Sequence, residues 1–144
     1  MTQSADEKYN LNRIGKYGVL SELLKRNVNA HLPAGRYKNV VVQYADGSES
    51  QVVVKTSRTQ RFVTNYNQAR YHNPDRVRPD YWIIVHIDSD NVSHFYIFTF
   101  DELGSVQTKS DGHPPEIPSR GCDCVTLPSI VDYENRWDVI VNHK

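Results

Sequence analysis

Lys55 makes the clearest chemical demand in this chain, because it closes the run Gln51-Val52-Val53-Val54-Lys55. An ammonium at the end of three valines needs a partner if it leaves water. Directly after it comes a basic segment, residues 56–80, in which Arg58, Arg61, Arg70, Arg76 and Arg78 face only Asp75 and Asp80. Phe62, Tyr66 and Tyr71 alternate with these arginines, a mixture suited to contacting phosphates and stacking on bases. The same composition fits an irregular solvated connection with a short helix near residues 65–71, and both readings stay open. Cys122 and Cys124, with His113 upstream and His143 near the end, are the soft-ligand candidates. Zinc sites separate their cysteines by roughly two to four residues and take four ligands, so Cys122-Asp123-Cys124 fits poorly. A disulfide between cysteines this close is sterically unfavourable, and reduced thiols in a loop are expected. No serine or cysteine nucleophile sits in a recognisable turn beside a histidine.

These side chains depend on a small number of elements. Lys55 ends a hairpin over residues 39–55, two β-branched runs joined at Asp46-Gly47. Ahead of it, Ile14, Tyr17, Leu20 and Leu24 recur at helical spacing, widened by Val19 and Leu23, which predicts a helix over 13–26 with one buried face. Order is expected to begin near Asn12, leaving residues 1–11 as a loose arm. Asn27 and Asn29 suit the end of that helix. Gly15 and Gly18 within it each cost about 1 kcal/mol relative to Ala, which implies that another backbone approaches there. His31-Leu32-Pro33 reads as a short strand.

Tyr81-Trp82-Ile83-Ile84-Val85-His86-Ile87 is a nearly continuous apolar run, the pattern of a central strand covered on both faces. Asp88 to Asn91 turn the chain, and residues 95–100 return as a second strand. The aromatic edge of that strand serves either a homodimer or the core. Asp101-Glu102-Leu103 opens a short helix, residues 104–118 read as loop, and residues 125–144 return to order. In that tail Ser129 is a candidate helix cap, while Trp137, Val139 and Val141 alternate like an edge strand or pack as a closing flap. The expected fold class is therefore α/β (α+β), with an N-terminal helix packed on a central mixed sheet.

The chain has 144 residues, enough for one domain with a real core and too few for two. Its 17 basic and 17 acidic side chains cancel, so no whole-molecule field points to nucleic acid or an acidic membrane, and any such site must be local. No apolar run approaches the ~20 residues that cross a bilayer. The first residues lack the apolar core of a secretory signal, so a cytoplasmic location is expected.

Gly15-Lys16-Tyr17-Gly18-Val19-Leu20-Ser21-Glu22-Leu23-Leu24-Lys25-Arg26, then Lys38-Asn39-Val40-Val41, then Val52-Val53-Val54-Lys55-Thr56-Ser57-Arg58 together resemble the PD-(D/E)XK restriction-endonuclease-like superfamily, in particular its small uncharacterised bacterial members. The resemblance spans residues 13–103. It implies a restriction-endonuclease-like core over 12–103, after the arm at 1–11, with 104–144 as a loop and extension packing on that core. Such proteins carry a Gly-Glu pair opening the first helix, an aspartate at the second strand and Gln/Glu-Val-Lys-Thr closing the third. Their carboxylates converge on Mg²⁺, and the lysine stabilises phosphate or orients the attacking water. Here the corresponding positions are Lys16, Asn39, Val53 and Lys55, so only the lysine is retained.

The resemblance thus implies a pseudonuclease, with no catalytic residues, no metal site and no cofactor. Lys16 and Lys55 would bind an anion directly, aided by Arg58, Arg61 and Arg70. The bland alternative has Lys16 reaching solvent and Lys55 pairing with Glu22 or Glu49. Three classes of function follow: a nucleic-acid-binding pseudonuclease, a protein–protein interaction module, or an active Mg²⁺-dependent DNA endonuclease with ligands relocated to Asp46, Glu49 or Glu22.

Overall fold

The computed structural model describes residues 4–35, 38–66, 78–111 and 123–143. Helix α1 runs over Ala5–Lys25, well upstream of the expected start at Asn12. The reason is legible in the supposed arm: Ser4 accepts a hydrogen bond from the Glu7 backbone N–H at 3.1 Å, and Asp6 and Glu7 place negative charge in the first turn. At the other end Asn27 takes φ 61°, and the Asn27 and Val28 amides donate to Leu24 and Leu23 at 3.0 Å, which satisfies the last carbonyls.

Five strands form the main sheet: β1 (Asn29–His31), β2 (Val40–Gln43), β3 (Glu49–Ser57), β5 (Tyr81–Ile87) and β6 (Ser93–Thr99), in that order across it. All neighbours are antiparallel except β3 and β5, which run parallel with Lys55 opposite Ile84. Gly47 at φ 88° closes the β2–β3 turn, where Asp46 accepts from the Ser48 amide and hydroxyl. Two further strands, β4 (Arg61–Val63) and β7 (Cys124–Thr126), pair antiparallel in a small second sheet. Part of the segment read as irregular is therefore strand.

The sheet divides two cores. On one face α1 lays Leu11, Val19 and Leu23 against Val40, Val42, Val52, Val54, Ile83 and Val85. On the other, Trp82, Ile84, Tyr96 and Phe98 meet Phe62, Tyr66 and Val125 and the helix α2 (Phe100–Asp111). α2 replaces the loop expected from Gly104 onward. Thr99 and Glu102 cap it reciprocally, each side chain accepting from the other's amide at 3.2 and 2.9 Å, and Leu103, Val106 and Gln107 are buried on one side. Gly104 misled the reading because it serves packing: a Cβ there would overlap the Tyr66 hydroxyl.

The buried face of α1 also differs from expectation. Leu11, Gly15, Val19 and Leu23 form the inner row, whereas Ile14, Tyr17 and Leu24 are 43%, 51% and 51% exposed. An i, i+4 row with glycine in it lets the helix lie close to the sheet, and that closeness outweighs the bulk of the competing stripe. Gly15 sits against Thr56 and Gly18 against the Phe95 ring, so the close neighbours are side chains and not backbone.

After β7 come α3 (Leu127–Ile130), a 3₁₀ turn (Val131–Tyr133) and α4 (Asp138–Val141). Thr126 occupies the cap position expected of Ser129, whose hydroxyl donates to the Thr126 carbonyl at 2.6 Å. Trp137 and Ile140 are buried in the α1-side core, so the tail closes the fold as a helical flap and adds no edge strand. Its approach also covers part of the β6 edge, since Glu134 bridges Tyr96 and the Asn135 amide donates to Phe95 at 2.8 Å.

His94 helps to hold that tail. Its Nε2 lies 2.8 Å from Asp88 and its Nδ1 3.3 Å from Glu134, and chiefly the Asp88 hydrogen bond raises its pKa above 6.5. A raised histidine pKa stabilises the fold fully below about pH 6.5, and the contribution is lost as pH rises through the folded value. The stability difference between the native chain and His94→Gln, from urea unfolding, should thus be larger at pH 5.5 than at pH 8.5. An unchanged difference across that range would mean that the charged form of His94 adds nothing to stability through Asp88 and Glu134.

Candidate functional site

Strand β3 presents alternate residues to opposite faces, so Val53 and Lys55 share the side away from α1, and Val53 packs with the second core. Asn39 lies just ahead of β2, whose first residue Val40 pairs with Val52, the neighbour of Val53 on β3. Asn39 donates to the Gln51 side chain at 3.0 Å. Lys16 follows the Gly15–Thr56 contact on α1, and its charge is close enough to help depress the pKa of Lys55. All four motif positions are therefore drawn to one end of the β2–β3 pair.

The electrostatics of this end are unusual. Burial lowers the pKa of Lys55 most, the Lys16 charge lowers it further, and Asp123 acts in the opposite direction. Burial also lowers the pKa of Lys16. Lys55 makes no hydrogen bond or salt bridge with the described residues, and neither local acid proposed for it is nearby in that role. Glu22 instead pairs with Lys25 at 3.1 Å and Arg26 at 3.7 Å, and Glu49 accepts from Gln43 at 3.0 Å. Helix spacing captures Glu22 and the cross-strand pair captures Glu49, and each arrangement leaves Lys55 untouched.

Asp123 went unnoticed in the sequence because it lies far along the chain and in no motif. The β4–β7 pairing brings it over: the Thr64 amide donates to the Asp123 carbonyl at 2.8 Å, Thr64 Oγ1 lies 3.3 Å from its carboxylate, and Gln107 Nε2 donates to that carboxylate. Thr64 and Gln107 are buried and hydrogen-bond to each other, which fixes Asp123 within a closed polar network.

The arginines do not all join Lys55. Arg58 is exposed just past β3 and donates to Asn91 at 2.7 Å, and Arg61 is exposed on β4. Arg78 lies with its guanidinium 4.0 Å above the Phe100 ring. Arg70, Arg76 and Tyr71 lie outside the described residues. Phe62 and Tyr66, read as stacking candidates, are buried in the second core and cannot meet a base.

The cysteine expectation is overturned at Cys124, which is disulfide-bonded. It is buried in β7, cross-paired with Val63, and its partner lies outside the described residues. The steric argument treated a free chain, whereas the β4–β7 pairing fixes the local backbone. His143 is taken up by stacking on Tyr44, with ring centroids 4.3 Å apart, and by a hydrogen bond with Tyr81. His113 lies outside the described residues.

Mg²⁺ does not fit this donor set. An ammonium and an isopropyl group stand where carboxylates would be needed, Asn39 offers only a neutral amide oxygen, and among the described residues no group of three His, Cys, Asp or Glu could hold a metal. What the arrangement can do is receive an anion at two lysines partly withdrawn from water, where electrostatic attraction is stronger than at an open surface. No family model, curated protein or solved structure matches this chain.

Proposed function

We propose that this chain is a nuclease-fold protein without a hydrolytic centre, which binds nucleic acid through Lys16 and Lys55, with Arg58, Arg61 and Arg70 extending the contact. The observation that supports it most is the approach of two half-buried lysines, one from α1 and one from β3. Like charges brought together and desolvated oppose folding, and a bound phosphate relieves both costs. Asp123, tied into its own network, offsets that charge in part. The nuclease part of this reading rests on the sequence resemblance to the PD-(D/E)XK superfamily, and the mixed five-stranded sheet under an N-terminal helix is compatible with it.

Gel-shift or anisotropy binding to DNA at two salt concentrations is the test. Affinity should fall steeply with salt, and Lys16→Gln and Lys55→Gln should each reduce the slope of log K against log salt by about 1. Salt-independent binding, or variants with an unchanged slope, would sink the proposal. Mg²⁺- or Mn²⁺-dependent cleavage of the same DNA, abolished by Lys55→Ala, would overturn its non-hydrolytic part.

One observation favours a second reading, a protein–protein contact. Ile14, Tyr17 and Leu24 lie on one exposed stripe of α1, an apolar face that the chain's own core leaves uncovered. Absence of DNA binding at both salts would transfer the assignment to that face. On either reading, no helix among the described residues is long and apolar enough to cross a membrane.

A further inference from the structure

We infer that the cavity between α1 and the segment following β1 is a pocket for one unpaired nucleotide, its base against the tyrosines and its phosphate at Arg13 and Lys16. The inference rests on the nucleic-acid reading above and specifies the strand state it recognises. The cavity has a volume of about 420 Å³, within the range of sites that enclose a small molecule. One wall is α1, where Lys16 and Tyr17 lie three and four residues after Arg13, itself four after Tyr9, so that all four share a side. The facing wall is the chain from Ala30 to Gly35, with His31, Leu32 and Pro33.

The lining selects the ligand by its chemistry. Among the described residues it holds Arg13, Lys16 and His31 and not one carboxylate, so it favours an anion over a cation. The Arg13 guanidinium lies 5.3 Å from the Tyr9 ring centre and 5.7 Å from that of Tyr17, which positions the charge between two aromatic faces. Tyr17 is half exposed, and Leu20, Leu32 and Pro33 add an apolar surface.

Inorganic phosphate would leave the aromatic and apolar walls unused. An apolar ligand would make no use of the positive charge in the lining. A planar base carrying a phosphate uses both, and stacking on tyrosine accepts any base. A paired base is held inside its duplex, whereas an unpaired one can splay outward and enter. Lys16 belongs both to this lining and to the charges that act on Lys55, so the cavity and the lysine pair share one residue.

The test uses the full chain, a labelled oligothymidylate, a blunt duplex of the same length and adenosine monophosphate. Arg13→Ala and Tyr17→Ala change exposed helix positions, and unaltered urea midpoints establish that each variant folds. Each should weaken oligothymidylate binding about 10-fold while changing duplex affinity less than about 2-fold. Equal weakening for both DNAs would mean that the two residues act only as general surface contacts, and overturns the pocket. Adenosine monophosphate binding lost in both variants, with oligothymidylate affinity unmoved, assigns the cavity to a free nucleotide and overturns the strand-recognition claim. Duplex binding with no measurable affinity for oligothymidylate overturns this inference alone. Failure of either DNA to bind overturns the nucleic-acid reading along with it.

Discussion

Trp137→Ala should lower the unfolding free energy by about 3–5 kcal/mol, a large fraction of the roughly 5–15 kcal/mol available to a domain of this kind. Trp137 is 3% exposed, its ring centre lies 5.3 Å from that of Phe95, and the Arg26 guanidinium lies 4.8 Å from its ring centre. Removing the indole opens a cavity between α1, β6 and the tail. The indole Nε1–H is buried without an acceptor among the described residues, so hydrogen bonding is not what holds it. Trp137→Phe keeps most of the volume and removes that unsatisfied donor, whose burial costs about 1–3 kcal/mol, and should therefore retain far more stability than Trp137→Ala. Urea midpoints at constant m-value measure both. A Trp137→Ala loss under about 1 kcal/mol would show that the tail is not part of the core.

The reach of the sequence reading depended on whether each signal was local. Trp82 to Ile87 declared a doubly covered strand because only His86 interrupts their apolar run, and Asp46-Gly47 declared its turn through backbone chemistry. Each of these needs only its neighbours. Two apolar rows compete on α1, and the choice between them is settled by distant residues: Thr56, which leaves no room for a side chain at Gly15, and Phe95, which packs tightly against Gly18. The two cap signals at Ser4 and Thr99 were present in the sequence, Ser-x-x-Glu and Thr-x-x-Glu, and mark the true starts of α1 and α2.

The site follows the same division. Lys55 drew notice because an ammonium after three valines conflicts with its surroundings, and such conflicts are visible in one dimension. Asp123 conflicts with nothing locally. It reaches the neighbourhood of Lys55 only through the pairing of β4 with β7, strands more than fifty residues apart whose register Phe62↔Val125 no short-range pattern announces. The cavity beside Lys16 is hidden because its second wall, Ala30 to Gly35, meets α1 only once the chain has folded back through β1.

Gly15→Val links the fold to the site. A Cβ at position 15 would overlap the Thr56 hydroxyl and stand 3.0 Å from Thr56 Cβ, so α1 must move away from β3 or Thr56 must turn. Overpacking of this kind costs about 1–3 kcal/mol, while replacing glycine within a helix returns less than about 1 kcal/mol for a β-branched residue. The net effect is destabilising. Thr56 Oγ1 is itself buried without a hydrogen-bond partner, so Thr56→Ala sacrifices no bond and vacates the space that valine needs. Gly15→Val should therefore cost measurably less in a Thr56→Ala background, a coupling of at least about 0.5 kcal/mol in a double-mutant cycle. Because Lys16 is the next residue, moving α1 also parts it from Lys55, and Gly15→Val should weaken DNA binding in proportion to the displacement, with partial recovery in the double variant. Additive stabilities would mean that Gly15 and Thr56 do not set the seating of the helix, and the spacing of the two lysines would then need another cause.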